Sequence, residues 1–138
     1  MKKILFSLVA LMMLTFTTGC TDDIEMRASE YYVTAGDWVT NDQVNYYFSS
    51  WYCEDITPDV VASGAVTVYV YDQGRQNQLP YVLPYYSAAN DVTIPENIRF
   101  DWSLGTITFI IEDLDGFAPE GMADIQPMTF KVVVFEDR

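Results

Sequence analysis

The chain has 138 residues, among them 10 Tyr, 8 Phe and 3 Trp, enough aromatic and apolar material for one domain to bury a core without staples. Its 7 basic against 20 acidic residues give a formal charge of -13, a field that repels phosphate backbones and excludes nucleic acid as a partner. Histidine is absent, which removes the usual general base, the Ser-His-Asp and Cys-His nucleophile systems and the commonest zinc ligand.

Two lysines, Lys2 and Lys3, precede an apolar run from Ile4 to about Phe16, and small residues follow, ending at Gly19-Cys20. That is the order of a secretory leader. A run of about 13 residues is too short for a bilayer span, which needs about 20. The junction resembles the bacterial lipobox, with Thr17 standing where Leu is usual. The resemblance implies cleavage after residue 19, acylation of Cys20 by palmitate-like chains, and attachment to a membrane through that lipid. Residues 1–19 are then the leader, 20–27 a lipidated tether and 28–138 a single domain, and loss of Lys2 and Lys3 takes the charge to -15.

The segment Thr21-Asp22-Asp23-Ile24-Glu25 resembles the acidic export tag of Bacteroidota surface lipoproteins, with Asp22 and Asp23 at its centre. This implies an outer-membrane protein on the cell surface. A plain solvated tether is the alternative, with the domain at the periplasmic face. Once Cys20 is lipidated, Cys53 has no partner in the chain, and with neither His nor an adjacent Lys or Arg to activate it, it reads as a small buried apolar residue.

Short β-rich segments broken by turn residues occupy the rest. A first strand is expected over 29–34, with Trp38-Val39 extending or following it, and a second, aromatic strand over 45–53. Thr57-Pro58 can cap and open a single helical turn that Gly64 closes. The strand over 65–72 alternates, so Val66, Val68 and Val70 are assigned to the core and Tyr69 and Tyr71 to the outside. Residues 73–77 read as a five-residue hairpin loop. Pro80 and Pro84 cannot donate to a ladder, which puts the 79–86 segment at a sheet edge. Strands are expected over 97–102, 106–112 and 128–135, with Ile107, Phe109 and Ile111 inward and Ile110 outward, and Phe130, Val132 and Val134 inward and Val133 outward. The total, about seven strands, predicts an all-β, immunoglobulin-like antiparallel sandwich.

Trp38, the aromatic strand, Gly64-Ala65-Val66-Thr67-Val68-Tyr69, Leu79-Pro80-Tyr81 and Phe130-Lys131-Val132-Val133-Val134 together resemble a pattern of small Bacteroidota lipoproteins. The resemblance covers nearly all of the mature chain. Its positions are mostly core and turn, so it implies a fold and a location but no activity.

Chemistry has few places to reside. Carboxylate pairs of the glycosidase kind are too easily met among twenty acids to mean anything, and a hydrolase is the least favoured class. Asp113 and Asp115, ahead of Gly116, are weak metal candidates, against the simpler reading of an acidic turn. No cofactor is expected. Tyr69, Tyr71, Tyr81, Tyr85 and Tyr86 are the binding candidates: an exposed aromatic platform among Asp, Asn and Gln suits sugar rings or a protein surface. Tyrosines packed half-buried across neighbouring strands are the plainer alternative. Two functions are therefore carried forward, a non-catalytic binding module for a glycan or envelope protein, and a passive subunit of an envelope assembly.

Overall fold

A computed structural model describes residues 23–40, 43, 46–87, 91–113 and 126–137, with the side chains of residues 85–87, 92 and 113 outside the description. Among the described residues eight strands form: β1 (Ile24–Val33), β2 (Tyr47–Tyr52), β3 (Ala65–Asp72), β4 (Arg75–Gln78), β5 (Tyr81–Ser87), β6 (Val92–Ser103), β7 (Thr106–Asp113) and β8 (Met128–Asp137), with one α-helix, α1 (Pro58–Ser63), and a 3-10 turn over Ala35–Asp37. Two antiparallel sheets of four result, in the orders β1-β8-β3-β4 and β2-β7-β6-β5. The all-β sandwich is as the alternation predicted. Its likeness to an immunoglobulin domain stops at the layering: there the first two strands are neighbours in one sheet, whereas here β1 and β2 lie in different sheets and the first strand pairs with the last.

Alternation puts Val68, Val70, Phe130, Val132 and Val134 of the first sheet against Ile98, Ile107, Phe109 and Ile111 of the second, all buried. Phe109 stacks on Phe130 with ring centroids 4.1 Å apart, and Trp38 meets the edge of the same phenyl at 6.3 Å. Cys53 is buried in this core, as its lack of a partner suggested.

Around α1 the local reading holds. Thr57 Oγ1 accepts from the Val60 amide, Pro58 occupies the first turn, and the Gly64 amide donates to the Val60 carbonyl. Gly64 also meets a demand the sequence did not display: a Cβ there would lie 2.3 Å from the Phe135 carbonyl oxygen.

Several boundaries differ from expectation. β1 begins at Ile24, so the second half of the expected 20–27 tether, and the end of the acidic segment, belong to the sheet. Residues 75–78 form β4, because Gln73 and Gly74 both take positive φ and close a two-residue turn in place of the expected five-residue loop. The short β4 supplies the eighth strand. β6 extends back to Val92, past Pro95, which is tolerated opposite Pro84 near the sheet edge. Leu79-Pro80, a cis peptide, carries the chain from β4 in one sheet to β5 in the other, and β5, with Pro84 inside it, is an edge strand as expected of the 79–86 segment.

Two residues expected to face solvent are buried, for the same reason: each sits on an inner strand with cover on both sides. Val133 lies between Ala28 and Thr67, and Ile110 between Phe48 and Arg99. The Arg99 side chain lies flat there, its guanidinium donating to Glu112 at 2.8 Å and resting 5.4 Å above the Tyr46 ring. At one end of the sandwich an inward-facing ionic group ties three segments together. Arg27 of β1 pairs with Glu136 of β8, its Nε lies 3.6 Å from Asp55, and Ser29 donates to Asp55 at 3.1 Å.

Candidate binding face

The five tyrosines singled out from the sequence do not form one platform. Tyr69 and Tyr71 project from β3 onto the outer face of the first sheet, as the alternation required. Tyr81 belongs to β5 of the other sheet, where its ring packs half-buried against the core and its hydroxyl donates to Asp72 at 3.0 Å. Tyr85 and Tyr86 pair through their backbones with Ile94 and Thr93 on the same edge strand, and their side chains lie outside the description. The sequence distance between residues 71 and 81 is small, but the crossing at Leu79-Pro80 puts them on different sheets, Tyr71 on the outer face of one and Tyr81 turned inward from the other.

What gathers around Tyr69 and Tyr71 comes from strands distant in sequence. Tyr69 sits between Lys131 of β8 and Gln78 of β4, and Tyr71 lies beside Gln76. The Tyr71 hydroxyl reaches across the sheet to donate to Glu30 on β1 at 2.8 Å and accepts from Gln76 Nε2 at 3.2 Å. That bond to Glu30 raises the Tyr71 phenol above its ordinary range, since ionising it would set two negative charges side by side. Tyr32, paired with Thr129 next along β1, is 62 % exposed on the same face. Gln78 donates to Thr67 at 3.1 Å and completes the row.

The result is a shallow surface of three tyrosine rings among Glu30, Lys131, Gln76 and Gln78, with the Tyr71 ring held by hydrogen bonds to Glu30 and Gln76. A ring fixed in this way contributes contact area at little further entropy cost. Tyr32 went unremarked in the sequence because the Tyr31-Tyr32 pair gives no sign of which ring faces out. The alternation Arg27, Ser29, Tyr31, Val33 inward is the signal that would have found it.

Between the end of β3 in one sheet and β5 and β6 in the other lies a separate cleft of about 190 Å³, with Val70, Leu83, Ile98 and Met128 as apolar walls and Tyr71, Asp72 and Tyr81 among its lining. It is smaller than the usual range for small-molecule sites, roughly 300–1,000 Å³. Among the described residues no group of three His, Cys, Asp or Glu could hold a metal ion, and no helix is long and apolar enough to cross a membrane. Asp113 ends β7 with its side chain outside the description, as is all of Asp115. Cys20 and Asp22 also lie outside it, and Asp23 is the exposed residue immediately before β1.

The class is thus a two-sheet antiparallel sandwich with a polar-aromatic outer face on one sheet. Compared with family models, curated proteins and solved structures, the chain matches none.

Proposed function

We propose that this is a lipid-anchored protein of the cell envelope, attached through Cys20 and displayed on the cell surface, that acts as a non-catalytic binding module for a glycan or a partner protein. The observation that carries the reading is the outer face of the first sheet: Tyr32, Tyr69 and Tyr71 flanked by Glu30, Lys131, Gln76 and Gln78. Tyrosine rings offer apolar faces to the C–H side of a pyranose, while carboxamide, carboxylate and ammonium groups meet its hydroxyls. The surrounding negative charge favours neutral or cationic ligands over anionic ones.

An array of neutral oligosaccharides probed with the mature domain tests this. Binding to at least one of them is expected, weakened about tenfold by Tyr69→Ala, a loss of about 1.4 kcal/mol. Binding that Tyr69→Ala and Tyr32→Ala both leave unchanged would remove this face from the reading, and no binding to any glycan would turn the search to envelope proteins. Display is tested by protease treatment of intact cells, where the native protein is cut and the Asp22→Ala/Asp23→Ala variant is spared.

One observation favours the second reading, a subunit of an envelope assembly. β1 is a ten-residue edge strand without proline, whereas β5 carries Pro84, β4 is short and polar, and β2 is bridged by Val39. An undefended edge is a template for strand addition. Concentration-dependent dimers or fibres seen by light scattering, and abolished by Ala28→Pro, would support it.

A further inference from the structure

The outer face of the first sheet is divided. Beyond the tyrosines, toward the start of β1, it becomes apolar: Ile24 is 66 % and Met26 64 % exposed, Met26 sits beside Phe135, and Phe135 beside the exposed Ala65. Ala28, Val133 and Thr67 form the next row inward. Alternation sends the side chains of Glu25, Arg27 and Glu136 inward from their strands, leaving Asp137 as the acid that β1, β8 and β3 turn outward on this half of the face among the described residues. A hollow of about 310 Å³ between Ile24, Ala65, Phe135 and the end of α1 at Ser63 and Gly64 adjoins the surface, with Glu136 and Asp137 at its polar side. In a chain this acidic, two large apolar side chains left exposed together on adjacent turns of one strand face need an occupant.

We propose that this apolar end rests on the bilayer that carries the anchor, so that the sandwich stands with the start of β1 down and the tyrosine half of the same face held farther out, above the headgroups. The inference rests on the lipidation of Cys20 proposed above. Thr21, Asp22 and Asp23 alone separate Cys20 from Ile24, so whatever their conformation Ile24 lies within about 14 Å of the acylated residue. That reach is comparable to the interfacial depth of about 5–10 Å at which apolar side chains settle among headgroups. The anchor thus confines the patch to the membrane surface, where burying Ile24, Met26 and Phe135 is favourable and where the acidic remainder of the domain is held off by its charge. A second copy of the chain is the competing occupant, and repulsion between two strongly acidic domains opposes it.

The full chain, processed in a lipoprotein-competent host and reconstituted in phosphatidylcholine vesicles, provides the test. The mass of its N-terminal peptide first decides whether Cys20 is acylated; an unmodified Cys20 overturns both the reading and this inference. An environment-sensitive fluorophore is then placed at Ala65→Cys or Met26→Cys and, as the contrast, at Gln76→Cys. Emission at positions 65 and 26 is expected to shift to the blue and to be quenched at least threefold more than at position 76 by lipids spin-labelled near the headgroup. Equal quenching at all three positions with Cys20 acylated overturns the inference alone. So does energy transfer between labels at position 65 that rises with protein density, which assigns the patch to a second copy.

Discussion

The Tyr31 phenol shows how one inward-facing side chain serves both sheets. Its ring meets Trp51 and Phe109 edge-on at 5.8 and 5.9 Å, and its hydroxyl donates to the Tyr52 carbonyl at 3.2 Å. Burial first, then the Cys53 thiol beside it, pushes its ionisation well above the ordinary tyrosine value of 10.0. Tyr71 and Tyr81 are raised as well, each by the carboxylate that accepts its hydroxyl proton. A group with a raised folded-state value binds its proton more tightly when folded, so its contribution is complete below pH 10 and is lost as pH rises through the folded value. The urea midpoint is therefore expected to stay level from pH 8 to about 9.5 and to fall above pH 10. In Tyr31→Phe the fall should be visibly shallower. A midpoint that rises with alkali, or a slope unchanged by the substitution, would refute this assignment.

At the scale of an element, α1 and its exit are the most constrained part of the chain. The Thr57 cap and Pro58 start are common devices, but Gly64 is needed because the chain passes hard against β8, with Val60 Cα 2.8 Å from where a Cβ would stand. Both contacts are backbone, which cannot swing aside. Gly64→Ala should cost about 1–3 kcal/mol in chemical denaturation, more than Gly→Ala at a position that merely caps a helix. The 73–74 turn is the milder case: Gln73 has φ 50° beside Gly74 at 74°. A type I′ turn favours Asn at its first central position, so Gln73→Asn should stabilise by about 0.5–1 kcal/mol in the same assay.

At the scale of the molecule, closure depends on pairing the two ends of the described chain, β1 with β8, over their full length. The Arg27 group fastens that pairing to the loop before α1. Removing the guanidinium leaves Glu136 and Asp55 facing each other in a largely buried end of the sandwich. Arg27→Met is expected to destabilise by about 2–4 kcal/mol, and Arg27→Met/Glu136→Leu/Asp55→Asn to recover most of it, because replacing the cation and both carboxylates leaves no unpaired charge. No recovery in the triple variant would mean that the group contributes more than mutual neutralisation.

The class of fold is legible in local pattern, because apolar residues at every second position in 65–72, 106–112 and 128–135 fit strands packed on a core, and two prolines confine 79–86 to an edge. The helical turn at 57–64 is legible in the same way, since it depends on residues within a few positions of one another, whereas the burial of Cys53 is shown by the fold. Which strands become neighbours is a different kind of fact. The register that brings Glu30, Lys131, Tyr69 and Gln78 into one row joins β1, β8, β3 and β4, and no local pattern encodes it. The same long-range pairing buried Val133 and Ile110, which alternation alone sent outward, and sent Tyr81 to the opposite sheet from Tyr71. Local periodicity reports which way a side chain points relative to its own strand. Only the tertiary pairing decides what lies on either side of it, and so whether that direction ends in solvent, in a ligand face or under a neighbouring side chain.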